Sequence, residues 1–278
     1  MARTEVLRLI ERSDEVRKTA STRSDPQLAR LRAEDLLLDA RDLLDDIDDE
    51  DERLDLAAQI SRRMADLDLE LILDGADGAD EGVARAPTSV DDPGRVPPGQ
   101  HLTAGWPVLH TGGVPDVDPD SFKLTVAGRV ERRLSLSWAE LRSLPDTTVV
   151  ADMHCVTAWS RLDNTWTGVR PRDLLDRAGL RPEATHVLAF GRPAYSANLP
   201  LDVLLADDAL LAWAHDGKPL TPAHGGPLRL VVPSRYAWKS VKWVFELRTL
   251  EHDVPGYWEA RGYHNDADPW LEQRFHGD

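Results

Sequence analysis

The tryptophans constrain the fold of this 278-residue chain most strongly, because all nine lie at or beyond Trp106. Each tryptophan carries a large apolar area that a folded protein must bury. The main hydrophobic core is therefore expected in the C-terminal two-thirds of the chain. The preceding residues are expected to form an accessory segment. An apolar content of 41% is ordinary for a globular protein and sufficient for such a core.

The N-terminal part of the chain differs from the rest in charge. Of the formal net charge of −16, residues 31–80 contribute −13, from 18 acidic and 5 basic residues. We predict an acidic helical hairpin or small bundle over residues 1–74, and a linker rich in Gly, Pro and Asp over residues 75–100. Two apolar stripes at helical spacing carry this prediction: Leu36, Ala40, Leu43, Leu44 and Ile47, then Ile60, Met64, Leu67 and Leu71. Pairing of these stripes between chains would give an oligomer.

Charge and composition also bear on partners and location. An acidic chain repels a phosphate backbone, so we expect no nucleic-acid partner. No window approaches the ~20 apolar residues of a membrane helix, and the charged N-terminus lacks the apolar stretch of a signal peptide. The single cysteine excludes an intrachain disulfide framework and fits a reducing compartment. We therefore expect a cytoplasmic protein with no membrane partner.

Beyond residue 100 the pattern predicts many strands. Phe122, Leu124 and Val126 alternate with polar residues, as in a half-buried strand. Apolar runs predict further strands over residues 149–156, 187–190, 228–232 and 241–250. Strands and helices do not alternate regularly. The predicted fold class is therefore α+β, a mixed or mostly-β domain over residues 101–278.

Short helices are predicted from their end signals. Ser137 and Glu140 have the spacing of a capping box, which predicts a helix that begins after Ser137. A second helix is predicted over residues 171–178, where Gly179 is placed to end it.

The only cysteine, Cys155, lies where a predicted strand gives way to a polar turn. A lone cysteine at a strand end is usually a small buried apolar residue. Activation of the thiol by His154 is disfavoured, because adjacent residues of a strand point to opposite faces. A zinc site is disfavoured as well, because one cysteine with scattered histidines has none of the usual ligand spacings. A chemical role for this thiol needs support from elsewhere in the sequence.

A cationic segment is the second unusual feature of the chain. Residues 229–243, RLVVPSRYAWKSVKW, contain four basic and no acidic residues. Gly225 and Gly226 lie just upstream, where the missing Cβ would let the backbone approach a ligand. Arginine and lysine together can bind a phosphate group. A basic surface strand with stacked aromatic side chains is the alternative that needs no ligand, and a nucleic-acid patch is the weakest alternative.

Five segments, in order, resemble the molybdopterin-binding domain of the sulfite oxidase family over roughly residues 100–275. They are Cys155-Val-Thr-Ala-Trp-Ser160, Trp166-Thr-Gly-Val169, His224-Gly-Gly-Pro-Leu-Arg229, Trp238-Lys-Ser-Val-Lys-Trp243 and Pro255-Gly-Tyr-Trp-Glu259. Each segment alone is weak evidence for the resemblance. Their order and spacing together are similar to those in the short bacterial branch of the family. The resemblance implies a mixed, mostly-β domain of the sulfite oxidase type that binds the molybdenum cofactor, Mo-molybdopterin.

The resemblance also implies residue roles. Cys155 matches the cysteine whose thiolate binds molybdenum, and soft sulfur suits this metal. Contacts with the pterin and its phosphate are implied for His224, Arg229, Ser240, Val241 and Lys242, and upstream for His110. From their nearness in sequence to the cysteine, we expect Thr157, Trp159 and Arg161 to contact the substrate.

Departures from the family pattern bear on the substrate. Animal and plant members hold their anionic substrate with an arginine where this chain has Val108. They also place a tyrosine after the Lys-Trp segment, where this chain continues with Val244-Phe-Glu-Leu. Sulfite is therefore disfavoured as the substrate. Methionine-sulfoxide reductases of the family carry an acid where this chain has Thr157.

The combined prediction is a molybdenum-dependent oxidoreductase. It would transfer an oxygen atom in a two-electron reaction on a small substrate, with an unidentified electron donor or acceptor as its redox partner. Two alternatives stay open. The chain could be a catalytically silent binding module of the same fold that docks a partner through its acidic helices, or a thiol-dependent enzyme without a metal. Metal analysis separates the three.

Overall fold

The computed structural model describes residues 2–20, isolated positions between 33 and 63, residues 93–111 and residues 113–278. The chain forms two compact units, Met1–Gly78 and Ala79–Asp278. The boundaries predicted from the sequence, with a linker over residues 75–100, stay predictions, and residues 75–92 lie outside the described residues. No helix among the described residues is long and apolar enough to cross a membrane.

The first unit begins with helix α1, Ala2–Ala20. Val6, Ile10 and Ser13 are buried on one face of this helix, at the spacing of an amphipathic helix. Several positions of the two predicted apolar stripes are buried: Ala40, Leu44, Ile47 and Ile60. Met64, Leu67 and Leu71 lie outside the described residues.

The second unit contains two mixed β-sheets. One is ordered β1-β5-β8-β10, with β4 paired to β5 and β9 to β8, and the other is ordered β3-β2-β11-β6-β7. The strands are β1 His101–Leu102, β2 Lys123–Gly128, β3 Leu134–Ser137, β4 Thr147–His154, β5 Trp159–Val169, β6 His186–Gly191, β7 Tyr195–Pro200, β8 Leu210–His215, β9 Lys218–Pro219, β10 Arg229–Val231 and β11 Val244–Leu250. The pairs β1–β5 and β2–β11 are parallel, and the other pairs are antiparallel. The predicted α+β fold class is confirmed.

Both sheets contribute to one hydrophobic core. Leu124 and Val126 of β2 and Leu247 of β11 belong to the same buried cluster as Leu211 and Trp213 of β8. A separate buried cluster surrounds the ends of β4 and β5: Met153, Cys155, Trp159, Trp166, Leu210, Ala212, Leu220 and Val231. The cysteine therefore sits at the edge of a packed aromatic region.

The helices of the second unit are short. Helix α2, Trp138–Arg142, begins with the predicted capping box between Ser137 and Glu140. Helix α3, Pro171–Ala178, ends at Gly179. The φ of 74° at this position is left-handed, a conformation that glycine adopts without strain. The remaining elements are helix α4 Leu201–Leu204 and 3₁₀ turns at Pro93–Arg95, Pro222–His224, Ala237–Lys239 and Glu259–Arg261.

The cationic segment folds differently from the prediction. The strand predicted over residues 241–250 begins only at Val244, because Trp243 adopts a left-handed φ of 49° and its amide bonds the carbonyl of Gly225. The segment is not a basic surface strand either. It runs from β10 through a 3₁₀ turn into a loop, and it buries Arg229 and Lys239.

Candidate functional site

A cavity of about 260 Å³ lies in the second unit. Its walls come from the loop around residues 106–111, the ends of β4 and β5, Arg229 on β10, residues 237–243 and residues 258–263. Five tryptophans and two tyrosines of the described residues line it. The cavity wall is therefore rich in aromatic side chains, which offer a large apolar area to a bound group.

Cys155 is the first residue of the turn that joins β4 to β5, and it lines the cavity. Its amide donates to the Trp159 carbonyl at 2.9 Å, and the Ala158 amide donates to its carbonyl at 3.0 Å. The hydroxyl of Thr157 donates to the Cys155 sulfur at 3.1 Å. Burial raises the pKa of the Cys155 thiol, and the Thr157 hydrogen bond opposes that rise. The thiol is thus small, buried and turned towards the cavity.

His154 does not share this site. Its Nδ1 lies 2.8 Å from the Ser160 hydroxyl, and its ring packs 4.9 Å from the ring of Trp270. Burial lowers the pKa of His154 to about 4, so the imidazole is neutral at neutral pH. The adjacent histidine and cysteine therefore reach different surroundings, and only His154 belongs to β4.

Arg229 is a buried cation at the cavity wall, with 2% of its surface exposed. Its Nη1 and Nη2 atoms donate to the carbonyls of His224 and Ser240 at 3.0 and 3.2 Å. Its Nε has no hydrogen-bond partner within the described part of the chain. Burial lowers the pKa of Arg229 to about 9. An unbalanced buried cation with a free donor is suited to an anionic ligand.

Lys242 is the second cation of the cavity. Its Nζ donates to the Ala223 carbonyl at 2.8 Å. Burial, together with the nearby charge of Arg229, lowers its pKa to about 7. None of the described residues that line the cavity is acidic. Arg229 and Lys242 together therefore leave positive charge to be balanced by a bound group.

The other predicted cofactor contacts divide into two groups. His110 and Ser240 line the cavity, and the Ser240 hydroxyl accepts the Val232 amide at 2.9 Å. Val241 is fully buried in the core cluster and is not a lining residue. His224 is not a lining residue either. Its contact with the cofactor stays a prediction.

His224 instead supports the cavity wall. Its ring stacks on Trp106 with centroids 3.9 Å apart, and its two nitrogens lie 2.9 Å from the Thr221 hydroxyl and 3.1 Å from the Trp106 carbonyl. The guanidinium of Arg229 lies 5.3 Å from the centroid of Trp106. Trp106 therefore contacts both the histidine and the buried arginine.

The predicted substrate residues also divide. Thr157 and Trp159 line the cavity, and the buried Trp159 Nε1 finds no acceptor among the described residues. Arg161 does not line it, so the geometry does not support a substrate contact there. Its guanidinium donates to Asp216 at 2.7 Å and contacts His215 at the turn between β8 and β9, which draws it away from the cavity.

The glycines upstream of Arg229 have a different role from the one expected. A Cβ on Gly225 would lie 3.0 Å from the Lys242 Cβ, and one on Gly226 would lie 2.4 Å from the Leu220 carbonyl oxygen. Gly225 therefore lets the chain pack closely against Lys242, and Gly226 lets it pack closely against Leu220.

Several lining residues carry no role in the sequence prediction. Trp106 and Tyr195 come from distant parts of the chain, and Tyr195 donates its hydroxyl proton to the Trp238 carbonyl at 2.6 Å. The Trp238 indole donates to Glu259 Oε1 at 2.8 Å. The concentration of tryptophan after residue 105 is a signal for such a wall, but it does not tell which rings face the cavity.

Comparison with known proteins identifies the class. Residues 111–258 match the family described as "Oxidoreductase molybdopterin binding domain". The chain belongs to this family of molybdopterin-binding oxidoreductases, whose domain binds the molybdopterin cofactor. The particular relatives include an uncharacterized oxidoreductase, YuiH, of Bacillus subtilis (strain 168), which is 47% identical over 186 residues, or 66% of this chain and 94% of the relative.

More distant relatives are longer than the matched region. The mitochondrial sulfite oxidase of Rattus norvegicus is 30% identical over 203 residues, which cover 60% of this chain and 37% of the relative. The catalytic subunit MsrP of a protein-methionine-sulfoxide reductase of Gluconobacter oxydans (strain 621H) is 30% identical over 177 residues, or 55% of this chain and 56% of the relative. The family is thus shared with enzymes that are named for different substrates.

The cavity residues fit the cofactor of the family. Molybdenum favours a soft sulfur ligand, which Cys155 offers, and an anionic phosphate needs cationic donors, which Arg229 and Lys242 offer. The unpartnered Nε of Arg229 is a donor that such a ligand would satisfy. In the described part of the chain, no three His, Cys, Asp or Glu side chains are grouped so that they could hold a metal ion by themselves.

Proposed function

We propose that this oxidoreductase catalyses a two-electron oxygen-atom transfer on a small substrate, with molybdenum held through Cys155. The observation that carries the proposal is the position of the only cysteine. Its thiol lines the same cavity as the buried Arg229 and the half-buried Lys242. Sulfur for the metal and positive charge for an anionic carrier are therefore available within one aromatic enclosure.

The residues of the chain divide the work around the cofactor. When bound, molybdopterin supplies a molybdenum centre that exchanges two electrons and an oxygen atom with the substrate. Arg229 and Lys242 would bind the anionic end of the cofactor, while Cys155 would hold the metal as a thiolate. A bound cofactor would displace water from the aromatic side chains, which would strengthen each electrostatic contact inside the cavity. Thr157, Trp159 and His110 remain the lining residues proposed to face the substrate or the metal.

The replacement of Cys155 by alanine tests this proposal. Wild-type protein made in a host that builds the cofactor is expected to contain stoichiometric molybdenum. Cys155→Ala should lose redox activity and most of its molybdenum, because no other thiol is among the described lining residues. The molybdenum content is measured by elemental analysis, and equal unfolding temperatures of the two proteins without cofactor show that the fold survives.

Other outcomes separate the alternatives. Wild-type protein without molybdenum or pterin would indicate a catalytically silent binding module. Activity that is lost on thiol alkylation in a molybdenum-free protein would indicate a thiol-dependent enzyme. A Cys155→Ala protein with wild-type molybdenum content and activity would contradict ligation by this cysteine.

A further inference from the structure

One hydroxyl group lies directly against the proposed metal ligand. The Thr157 hydroxyl donates to the Cys155 sulfur at 3.1 Å, although Thr157 itself is exposed and Cys155 is buried. We infer that Thr157 is a positioning residue, whose hydrogen bond orients the Cys155 sulfur and raises the reduction potential of the bound molybdenum. The inference rests on the proposed function, because it takes Cys155 as the metal ligand.

The turn that carries both residues is anchored from outside. The Gln100 side chain donates to the Cys155 carbonyl at 3.1 Å, and the Arg274 guanidinium donates to the Val156 carbonyl at 2.6 Å. The His101 amide donates to the Ala158 carbonyl at 2.9 Å, and Ala158 adopts a left-handed φ of 69°. These contacts fix the backbone on both sides of Thr157. Its hydroxyl is therefore held near the sulfur by the fold of the turn.

The hydrogen bond becomes stronger when the sulfur binds a metal. A neutral thiol is a weak acceptor, whereas an anionic sulfur accepts a charge-assisted hydrogen bond. The Thr157 hydroxyl, 3.1 Å from the sulfur, is already in place to make that stronger bond. The threonine therefore favours the form of the sulfur that ligates a metal.

The same hydrogen bond affects the redox balance. A hydrogen-bond donor withdraws electron density from the ligating sulfur. The reduced metal centre carries more electron density than the oxidised centre, so the donor interacts with it more strongly. The bond therefore stabilises the reduced state more than the oxidised state, which raises the potential. This role differs from the substrate contact that the sequence predicts for Thr157, because the hydroxyl proton is already directed at the sulfur.

Variants at this position test the inference. Thr157→Val keeps the shape but removes the donor, Thr157→Ala also removes the branched side chain, and Thr157→Ser keeps the hydroxyl. The proteins are loaded with cofactor, and the potential of the molybdenum centre is measured by redox titration with electron paramagnetic resonance. We expect a shift to lower potential in both Thr157→Val and Thr157→Ala at unchanged molybdenum content. Thr157→Ser should stay at the wild-type potential.

Three other outcomes would contradict the inference or the proposed function. A wild-type potential in loaded Thr157→Val and Thr157→Ala would overturn the inference and leave the proposed function intact. Failure of both variants to bind molybdenum, while Thr157→Ser binds it, would give the threonine a structural role and overturn the inference as well. A Cys155→Ala protein with wild-type molybdenum content would instead contradict the proposed function itself.

Discussion

The buried charge of Arg229 lowers the stability of the fold, but it suits the site for an anionic ligand. The change of its pKa from 12.5 to about 9 corresponds to roughly 5 kcal/mol against the charged form. Two carbonyl acceptors and the rings of Trp106 and Trp166, at 5.3 and 5.4 Å, offset part of that cost. A buried cation without a carboxylate partner is stabilised further when an anion binds.

Replacement of Arg229 should therefore separate binding from folding. In Arg229→Met we expect at least a tenfold loss of pterin, because the anionic end of the cofactor loses its buried donor. The unfolding temperature of the cofactor-free protein should not fall, because the variant removes an unbalanced buried charge. Pterin fluorescence after acid release and thermal unfolding measure the two effects.

Arg235 provides the matched control for that experiment. It lies in the same cationic segment, is not a lining residue and donates to the Ser234 carbonyl at 3.0 Å. Arg235→Met should keep wild-type pterin content. Equal pterin loss in both variants would show that the charge of the segment, and not the position of Arg229, governs binding.

At this scale the sequence predicts the chemistry of residues better than their surroundings. Cys155 lies at the end of a strand as its neighbours indicate, and Arg229 and Lys242 share its cavity. The substrate contact of Arg161 stays a prediction, and its bond to Asp216, 55 residues away, leaves no local signal in the sequence. Trp106 is missed for the same reason, since its neighbours His215 and His224 are distant in sequence. Long-range contacts of this kind leave no local pattern.

Among the elements, the 3₁₀ turn Ala237–Lys239 depends on a buried ion pair. Lys239 Nζ lies 2.6 Å from Glu259 Oε1, and both side chains are almost completely buried. The Trp238 indole donates to the same carboxylate oxygen, and Lys239 also donates to the Asn198 carbonyl at 2.8 Å. The sequence pattern places Lys239 in a cationic segment. It does not reveal the acidic partner, because Glu259 lies on a different 3₁₀ turn. The pair connects the wall of the cavity to the interior.

Removal of one partner of this pair should destabilise the protein strongly. Glu259→Leu leaves a buried ammonium and an unpaired indole, and we expect a loss of about 3–5 kcal/mol in the free energy of unfolding. The double variant Lys239→Met with Glu259→Leu should lose less than the sum of the two single variants, because neither charge remains alone. Urea unfolding of the four proteins measures the coupling.

An exposed ion pair gives the comparison. Arg181 and Glu183 lie 4.0 Å apart with both side chains more than a third exposed. Glu183→Ala should change the free energy of unfolding by less than about 1 kcal/mol. Additive losses in the Lys239 and Glu259 variants would contradict the structural importance of the buried pair.

For the whole molecule, local patterns predict the strands but not how they pair. Alternation identifies the strand around Leu124, and end signals identify helices α2 and α3. The parallel pairing of Val126 with Leu247 joins distant parts of the chain, and only tertiary packing selects it. The predicted pairing of N-terminal helices between chains and the cytoplasmic location depend on other molecules and stay predictions.

The buried His154 and the half-buried His215 should make the stability of the second unit depend on pH. Burial lowers the pKa of His154 and of His215 to about 4 each. The unfolded chain, with a histidine pKa of about 6.5, binds more protons between these values. The contribution of these histidines to the free energy of unfolding is therefore fully present above about pH 6.5 and falls as the pH drops towards 4. Each histidine contributes at most about 3 kcal/mol over that range.

Urea unfolding at pH 7.5 and pH 5 checks this dependence. We expect wild-type protein to lose stability at the lower pH, and His154→Gln and His215→Gln each to lose less. His252→Gln, at an exposed histidine, should keep the wild-type difference between the two conditions. The pair Asp216–Arg161 contributes little to this comparison, because the pKa of Asp216 is lowered from 3.8 and the carboxylate stays charged at pH 5. If wild type and the three variants all lost the same stability between pH 7.5 and pH 5, the acid sensitivity would arise elsewhere. Burial of neutral imidazoles requires the loss to be smaller when His154 or His215 is removed.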